Sequence, residues 1–306
     1  MIISEAETRT LTLKNSSVSG VSMKFFSRHT TANTAFSGEQ VDLSKVNCKV
    51  TLRREGKPQH IIYSDQVKPW VLSSGYYNGQ IENVVDSSFT VLKAAASGVD
   101  EEIINYFTLN FGGVVNLKGE DSLNVEFHFI SGASASTVSN SESFMEFDPI
   151  EAIGYEIGTP EISTHSIAAS QSREQIELGN DVTGVCFVNY DKTGNLEASS
   201  PITSVTLSSD RLNLHDNYYE LLAKRSEKFQ SDAVADKRDM NFYLYEGLGE
   251  EIDTARLDLN MVSGNVNAGK CFIVCYRLHV TPETLSKASA MSDKHESEDI
   301  AKVAER

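Results

Sequence analysis

Apolar residues recur at every second position through most of this chain. Leu11 and Leu13 alternate with Thr12 and Lys14, Val21, Met23 and Phe25 with Ser22 and Lys24, and Cys48, Val50 and Leu52 with Lys49, Thr51 and Arg53. Successive side chains of an extended strand point to opposite faces, so each run predicts a strand with one face on a core and the other toward water. Phe107, Leu109 and Phe111 make another such face, and so do Leu123, Val125, Phe127 and Phe129. This alternation belongs to antiparallel sheets, because strands of a parallel sheet covered on both sides are apolar on both faces.

At 132–143 the chain reads GASASTVSNSES, small and polar without a period, which suits an exposed connection. The pattern therefore places a first β domain at 1–131, a linker at 132–143, a second β domain at 144–280 and a tail of mixed charge at 281–306. Beyond the linker, strands are predicted at Ile153, Tyr155 and Ile157, then at 182–190, 202–207, 241–245, 256–262 and 270–280. One helix is predicted over HDNYYELLAKRSEKF at 215–229. There Asp216 or Asn217 caps the first turn, Tyr218, Leu221, Leu222 and Arg225 share a side, and Glu220 precedes Lys224 by one turn. Thr281 and Pro282 suit the cap and first position of another helix, so the tail is expected to be helical, mobile or ordered only against a neighbour.

KVTLRREG at 49–56 and SVTLSSDRL at 204–212 read alike, and the words after them keep the same order. HIIYSDQVKPW, a long connection, NYFTLNF, a glycine-containing turn and SLNVEFHFIS follow the first. The predicted helix, NFYLY, RLDLNMV and KCFIVCYRL follow the second. Alternation alone lets any all-β chain be laid on itself. A long insertion at the same place in both halves favours a true repeat. The expectation is an all-β protein of two tandem eight-stranded jelly-roll β-sandwiches, a double jelly roll, with a few short helices and a C-terminal helical tail.

Length and charge narrow the function. With 306 residues, 40% of them hydrophobic and 23% charged, the chain can bury a core in each of two domains. Its longest solid apolar run, CFIVCY at 271–276, falls far short of the roughly 20 residues a membrane-spanning helix needs. The start, MIISEAETRT, carries acidic residues where a signal peptide carries basic ones. Four cysteines, Cys48, Cys186, Cys271 and Cys275, are too scattered for a disulfide framework, so synthesis in a reducing cytoplasm is expected. A net charge of −16 opposes a phosphate backbone and argues against direct contact with nucleic acid. The same charge makes self-association sensitive to salt and divalent cations.

Catalytic patterns are absent: no G-x-S-x-G elbow, no Walker glycine loop and no H-E-x-x-H helix. EGLGEE at 246–251 lacks the third glycine of a dinucleotide loop and reads as a turn. Cys271 and Cys275 share one strand face, which fits core packing better than zinc, whose cysteine ligands sit closer on turns. The seven histidines are dispersed, and His128 is expected to point outward between Phe127 and Phe129. No catalytic, cofactor-binding or metal-ligating residue is assigned, and the protein is not expected to be an enzyme. Asp100, Glu101 and Glu102, and Glu250, Glu251 and Asp253, read as solvated acidic loops or as oxygen donors to structural calcium. Trp70, Tyr76 and Tyr77 offer either an aromatic patch or burial under a loop.

The segment VDLSKVNCKVTLRREGKPQHIIYSD, the predicted helix at 215–229, NFYLYEGLGEEIDTARLDLNMV and KCFIVCYRL together resemble the coat protein of corticoviruses. More broadly the chain resembles the double jelly-roll major capsid proteins of tail-less bacteriophages with an internal membrane, the finnlakevirus coat being a similar case. The resemblance is one of strand order and spacing, and DEEIINY and the tail have no counterpart in it. It implies upright sandwiches, a homotrimer whose six rolls give a pseudo-hexagonal capsomer, and an icosahedral capsid as the location in the virion. Its partners would be further copies of itself, minor capsid and vertex proteins, and the internal membrane. A different class, a carbohydrate-binding two-domain β-sandwich such as a receptor-binding spike or lectin, predicts exposed aromatic residues. The single tryptophan speaks against that class.

Overall fold

The computed structural model describes residues 1–28, 41–77, 90–91, 102–134, 138–154, 156–167, 172–189, 202–217, 241–246, 252–261 and 271–280. The first half contains β1 (Ile2–Ile3), β2 (Thr8–Leu13), β3 (Ser17–Arg28), β4 (Val46–Arg53), β5 (His60–Gln66), helix α1 (Val67–Tyr77), β6 (Thr90–Val91), β7 (Glu102–Asn116), β8 (Ser122–Phe129) and β9 (Phe144–Glu151). The second half contains β10 (Thr159–Ser166), β11 (Arg173–Gly179), β12 (Val182–Asn189), β13 (Ile202–Ser208), β14 (Asn213–Asn217), β15 (Asn241–Glu246), β16 (Ala255–Met261) and β17 (Cys271–His279).

All pairings among these strands are antiparallel, and they make four sheets. In the second half one sheet has the order β10-β17-β12-β15 and the other β11-β16-β13-β14. The chain thus passes back and forth between two layers, which is the winding of a jelly roll. In the first half the orders are β1-β9-β3-β7-β6 and β2-β8-β4-β5. With the two-residue β6 set aside, each strand of the first half has a counterpart at the same place in the second. The VTL strands β4 and β13 correspond, as do β7 with β15 and β8 with β16, so the repeat read from the words is a repeat of connectivity.

Three expectations change. Phe144–Glu151 does not open the second domain. It pairs with β3 from Phe26↔Phe144 to Val18↔Glu151 and with β1, and so completes the first sandwich. The polar stretch at 132–143 joins β8 to β9 inside that sandwich, and the chain crosses to the second over 152–158. Polar composition marks an exposed connection but carries no information about which sheets it joins. Second, Ile153 and Ile157 form no strand and are exposed, because their alternation has no partner strand to pair with; Tyr155 lies outside the described residues. Third, residues 215–217 are not helical but end β14, which pairs with β13 from Ser208↔Asn213 to Ser204↔Asn217. Asp216 is buried in that strand. NLHDN is nearly without apolar alternation, and among the described residues β14 is an edge strand with a single neighbour. The rest of that predicted helix, and the tail at 281–306, lie outside the described residues.

The alternating faces meet as expected. Val21, Met23 and Phe25 are buried, with Val125, Phe127 and Phe129 from the opposite sheet. Phe127 stacks on Phe147 of β9 with ring centroids 3.6 Å apart, and Phe25 meets the edge of Phe129 at 6.3 Å. These aromatic pairs tie the two layers together. All four cysteines are buried and unpaired by disulfides. Burial, aided by Glu126, pushes the Cys48 thiol well up; burial pushes Cys275 up to about 12, with Arg277 working against it. Thiol reagents that attack the thiolate should therefore leave the native protein unmodified at neutral pH and modify all four cysteines once it is denatured. A thiol titrating quickly without denaturant would contradict the packing of its strand.

Candidate functional site at the junction of the two sandwiches

The two sandwiches touch through a bulge and a helix. β3 pairs with β7 as far as Gly20↔Asn110, then resumes at Val18↔Val115, so Phe111–Val114 are pushed out of the ladder. The Asn110 side chain accepts the Gly112 N–H at 2.8 Å, and Gly112 has φ +76°, a conformation that L residues avoid. A Cβ at 112 would lie 3.0 Å from Tyr276 Cδ1, and one at 113 would lie 2.9 Å from Leu278 Cδ1. The glycine pair, read from the sequence as a turn, thus lets β7 lean against β17.

Helix α1 fills the space between β7 on one side and β12, β15 and β17 on the other. Its anchor is Trp70, fully buried, with ring centroids 4.3 Å from Tyr63 and 5.9 Å from Phe111. Trp70 Nε1–H donates to Asn110 O at 2.8 Å, and the Asn110 N–H donates to Ser74 Oγ at 3.0 Å. From the same helix Ser73 Oγ lies 2.6 Å from Tyr276 OH in a buried setting. Ser73 has one proton and gives it to Trp70 O at 3.0 Å, so Tyr276 is the donor to Ser73. Tyr276→Phe should cost about 1 kcal/mol, read as a lower urea midpoint at unchanged slope. An unchanged midpoint would show that the bond across the junction adds nothing.

β17 is apolar on both faces for the same reason. Arg277 Nε and Nη2 donate to Leu178 O on β11, in the opposing sheet, at 3.0 and 2.6 Å. Odd positions of the strand, Cys271, Ile273 and Cys275, therefore face the sandwich interior, and even positions, Phe272, Val274 and Tyr276, face α1 and β7. The solid run CFIVCY reflects two covered faces.

Polar ties frame this contact. Arg54 Nη1 donates to Asp121 Oδ2 at 2.8 Å and to Asn116 O at 3.0 Å, and Nη2 donates to Glu156 Oε1. Glu156 Oε2 also accepts the Asn116 N–H at 3.0 Å, which pins the crossing segment to the first sandwich. The edge strands β5 and β10 run beside each other, with Thr164 Oγ1 donating to Asp65 Oδ2. A cleft of about 530 Å³ lies between them, lined by His60, Ile61, Asp65, Glu161 and Ser163 among others. At its edge His279 Nδ1 is 2.6 Å from Asp181 Oδ2 and Nε2 is 3.0 Å from Glu161 Oε2. Arg277 Nη1 donates to Glu161 Oε1 at 3.1 Å, and His60 Nε2 is 3.1 Å from Pro160 O. Partial burial disfavours the His279 cation, but the hydrogen bonds to Asp181 and Glu161 outweigh it and raise the pKa.

Among the residues singled out in the sequence, Trp70 is a core residue rather than part of a surface patch, while the Tyr76 and Tyr77 side chains lie outside what is described. His128 points outward, as expected, with Thr8 Oγ1 2.7 Å from its Nδ1. Asp100, Glu101, Glu250, Glu251 and most of EGLGEE lie outside the described residues; Glu102 begins β7, and Asp253 Oδ1 accepts the Asp181 N–H at 3.0 Å. His60, Glu161, Asp181 and His279 escaped notice because no local spacing connects them.

No family model matches the chain, and no curated protein matches it. Solved structures do. The chain is similar to the major capsid protein in the crystal structure of that protein from STIV, over 91% of this chain and 93% of that one, at a TM-score of 0.54 and 11% identity. A chain in the atomic structure of Sulfolobus Turreted Icosahedral Virus is similar over 92% of this chain and 91% of its own, at a TM-score of 0.56 and 12% identity. The fold is a double jelly roll. At such low identity the likeness is one of fold alone. Among the described residues no helix is long and apolar enough to cross a membrane.

Proposed function

We propose that this chain is a viral major capsid protein that builds a shell from copies of itself. The observation that carries this reading is the pairing, in one chain, of two sandwiches with the same strand winding, an arrangement found along nine-tenths of a virus coat chain as well. Two alike rolls held at a fixed angle let three copies present six similar units. A threefold capsomer then fits a lattice position with six neighbours, which is the geometric use of doubling. Many modest contacts between capsomers add up to a stable closed shell. The reading places the protein in the virion and makes its role structural rather than catalytic. The resemblance in the sequence adds a tail-less phage with an internal membrane, with minor capsid and vertex proteins as further partners.

Light scattering on the purified chain tests this proposal. A particle of three times the 33.7 kDa chain mass is expected, joining into larger lattices as salt screens the −16 charge. A monomer that retains glycans would sink it and favour the carbohydrate-binding reading instead.

A further inference from the structure

We propose that His60, Glu161 and His279 form a zinc site that clamps the two jelly rolls together. The three residues come from β5 of the first roll and from β10 and β17 of the second, and one ligand atom from each lies within 4.8 Å of the others. Zinc bonds to nitrogen and oxygen of about 2.0–2.1 Å set tetrahedral ligands roughly 3.4 Å apart. Glu161 Oε2 and His279 Nε2, at 3.0 Å, already stand near that spacing, and the His60 ligand atom, within 4.8 Å of both, has to move inward to complete the set.

The surroundings are those of a built site. Asp181 holds His279 Nδ1 and thereby aims Nε2 at Glu161, the arrangement of carboxylate behind histidine that orients metal ligands. Arg277, itself fixed on Leu178 O, occupies Glu161 Oε1, so Oε2 and the His279 Nε2 it meets are the atoms that would turn to the metal in place of each other. Once zinc takes the place of the proton between His279 and Glu161, two carboxylates against one guanidinium leave net negative charge to receive a dication. Two imidazoles and one carboxylate suit zinc better than calcium or magnesium, which prefer oxygen alone. The cleft between β5 and β10 gives a route in and space for water as a fourth ligand.

The test uses the full chain, freed of metal with a chelator and titrated with zinc chloride in a calorimeter. Cobalt(II) serves as a coloured stand-in whose visible bands report tetrahedral geometry. One zinc per chain is expected, with a higher thermal midpoint when it is bound. His60→Gln, which changes a partly exposed ring, should weaken binding at least tenfold, as should Glu161→Gln. Asp181→Asn, which alters a positioning residue, should weaken it roughly tenfold to a hundredfold while keeping one site per chain. His128→Gln and His215→Gln, both at exposed positions outside the cluster, should bind as the unaltered chain does. No binding, or binding that His60→Gln leaves unchanged, would overturn the proposal. The titration needs no assembly, so its outcome is separate from that of the capsid reading.

Discussion

Replacing Trp70 with alanine is expected to remove about 3–5 kcal/mol of stability, the range found when a large buried aromatic side chain is truncated. The indole is wholly buried between Tyr63 and Phe111, and its N–H is bound to Asn110 O. Alanine would leave a cavity under α1 and remove the hydrogen bond that ties the helix to the bulge that meets β17. The helix would then lose its anchor in the first sandwich, and the Ser73 contact with Tyr276 would loosen with it. Trp70 is the only tryptophan, so fluorescence follows the native protein but the variant must be followed by circular dichroism in guanidinium. Trp70→Phe, which keeps a ring and loses the hydrogen bond, should fall between the two. A loss below about 1 kcal/mol for the alanine variant would mean that α1 is held elsewhere.

Arg54→Ala should come second, at about 3 kcal/mol. Removing one member of a buried ion pair typically costs about 3–5 kcal/mol because the remaining charge stays buried without a partner. The low end applies here, since 19% of the Arg54 side chain still reaches water. Asp121 and Glu156, 14% and 13% exposed, would be left facing one another. If uncompensated charge is the cause, the triple variant Arg54→Met, Asp121→Asn, Glu156→Gln should unfold at a higher denaturant concentration than Arg54→Ala alone. The reverse order would assign the loss to packing instead. Arg54→Lys should not restore stability, because one ammonium cannot reach both carboxylates and Asn116 O with the geometry of a guanidinium fork.

Both effects rest on contacts between segments that are distant in sequence, and this marks the limit of what could be read in advance. The strands at Val21–Phe25, Cys48–Leu52 and Leu123–Phe129 were legible because their burial follows a period of two, a property of the extended backbone itself. The correspondence of β4 with β13 was legible because like strands in like positions meet like demands. The strand β9 was missed as a member of the first roll, since FMEFDPIE has the same alternation whichever sheet receives it. Residues 215–217 were read as the start of a helix and are strand, because capping residues and edge-strand residues are drawn from the same polar set; the rest of that predicted helix lies outside the described residues.

Alternation along the chain was enough, by itself, to determine an all-β protein with two layers in each half and a second half that repeats the first. Which strand faces are covered twice was decided only in three dimensions. CFIVCY is apolar throughout because the first sandwich, through α1 and the β7 bulge, shields the face that would otherwise meet water. In the same way His60, Glu161, Asp181 and His279 are brought together by the packing of one sandwich against the other. Backbone periodicity acts over neighbouring residues, whereas these encounters depend on the angle between two folded bodies, and no short stretch of sequence carries that angle.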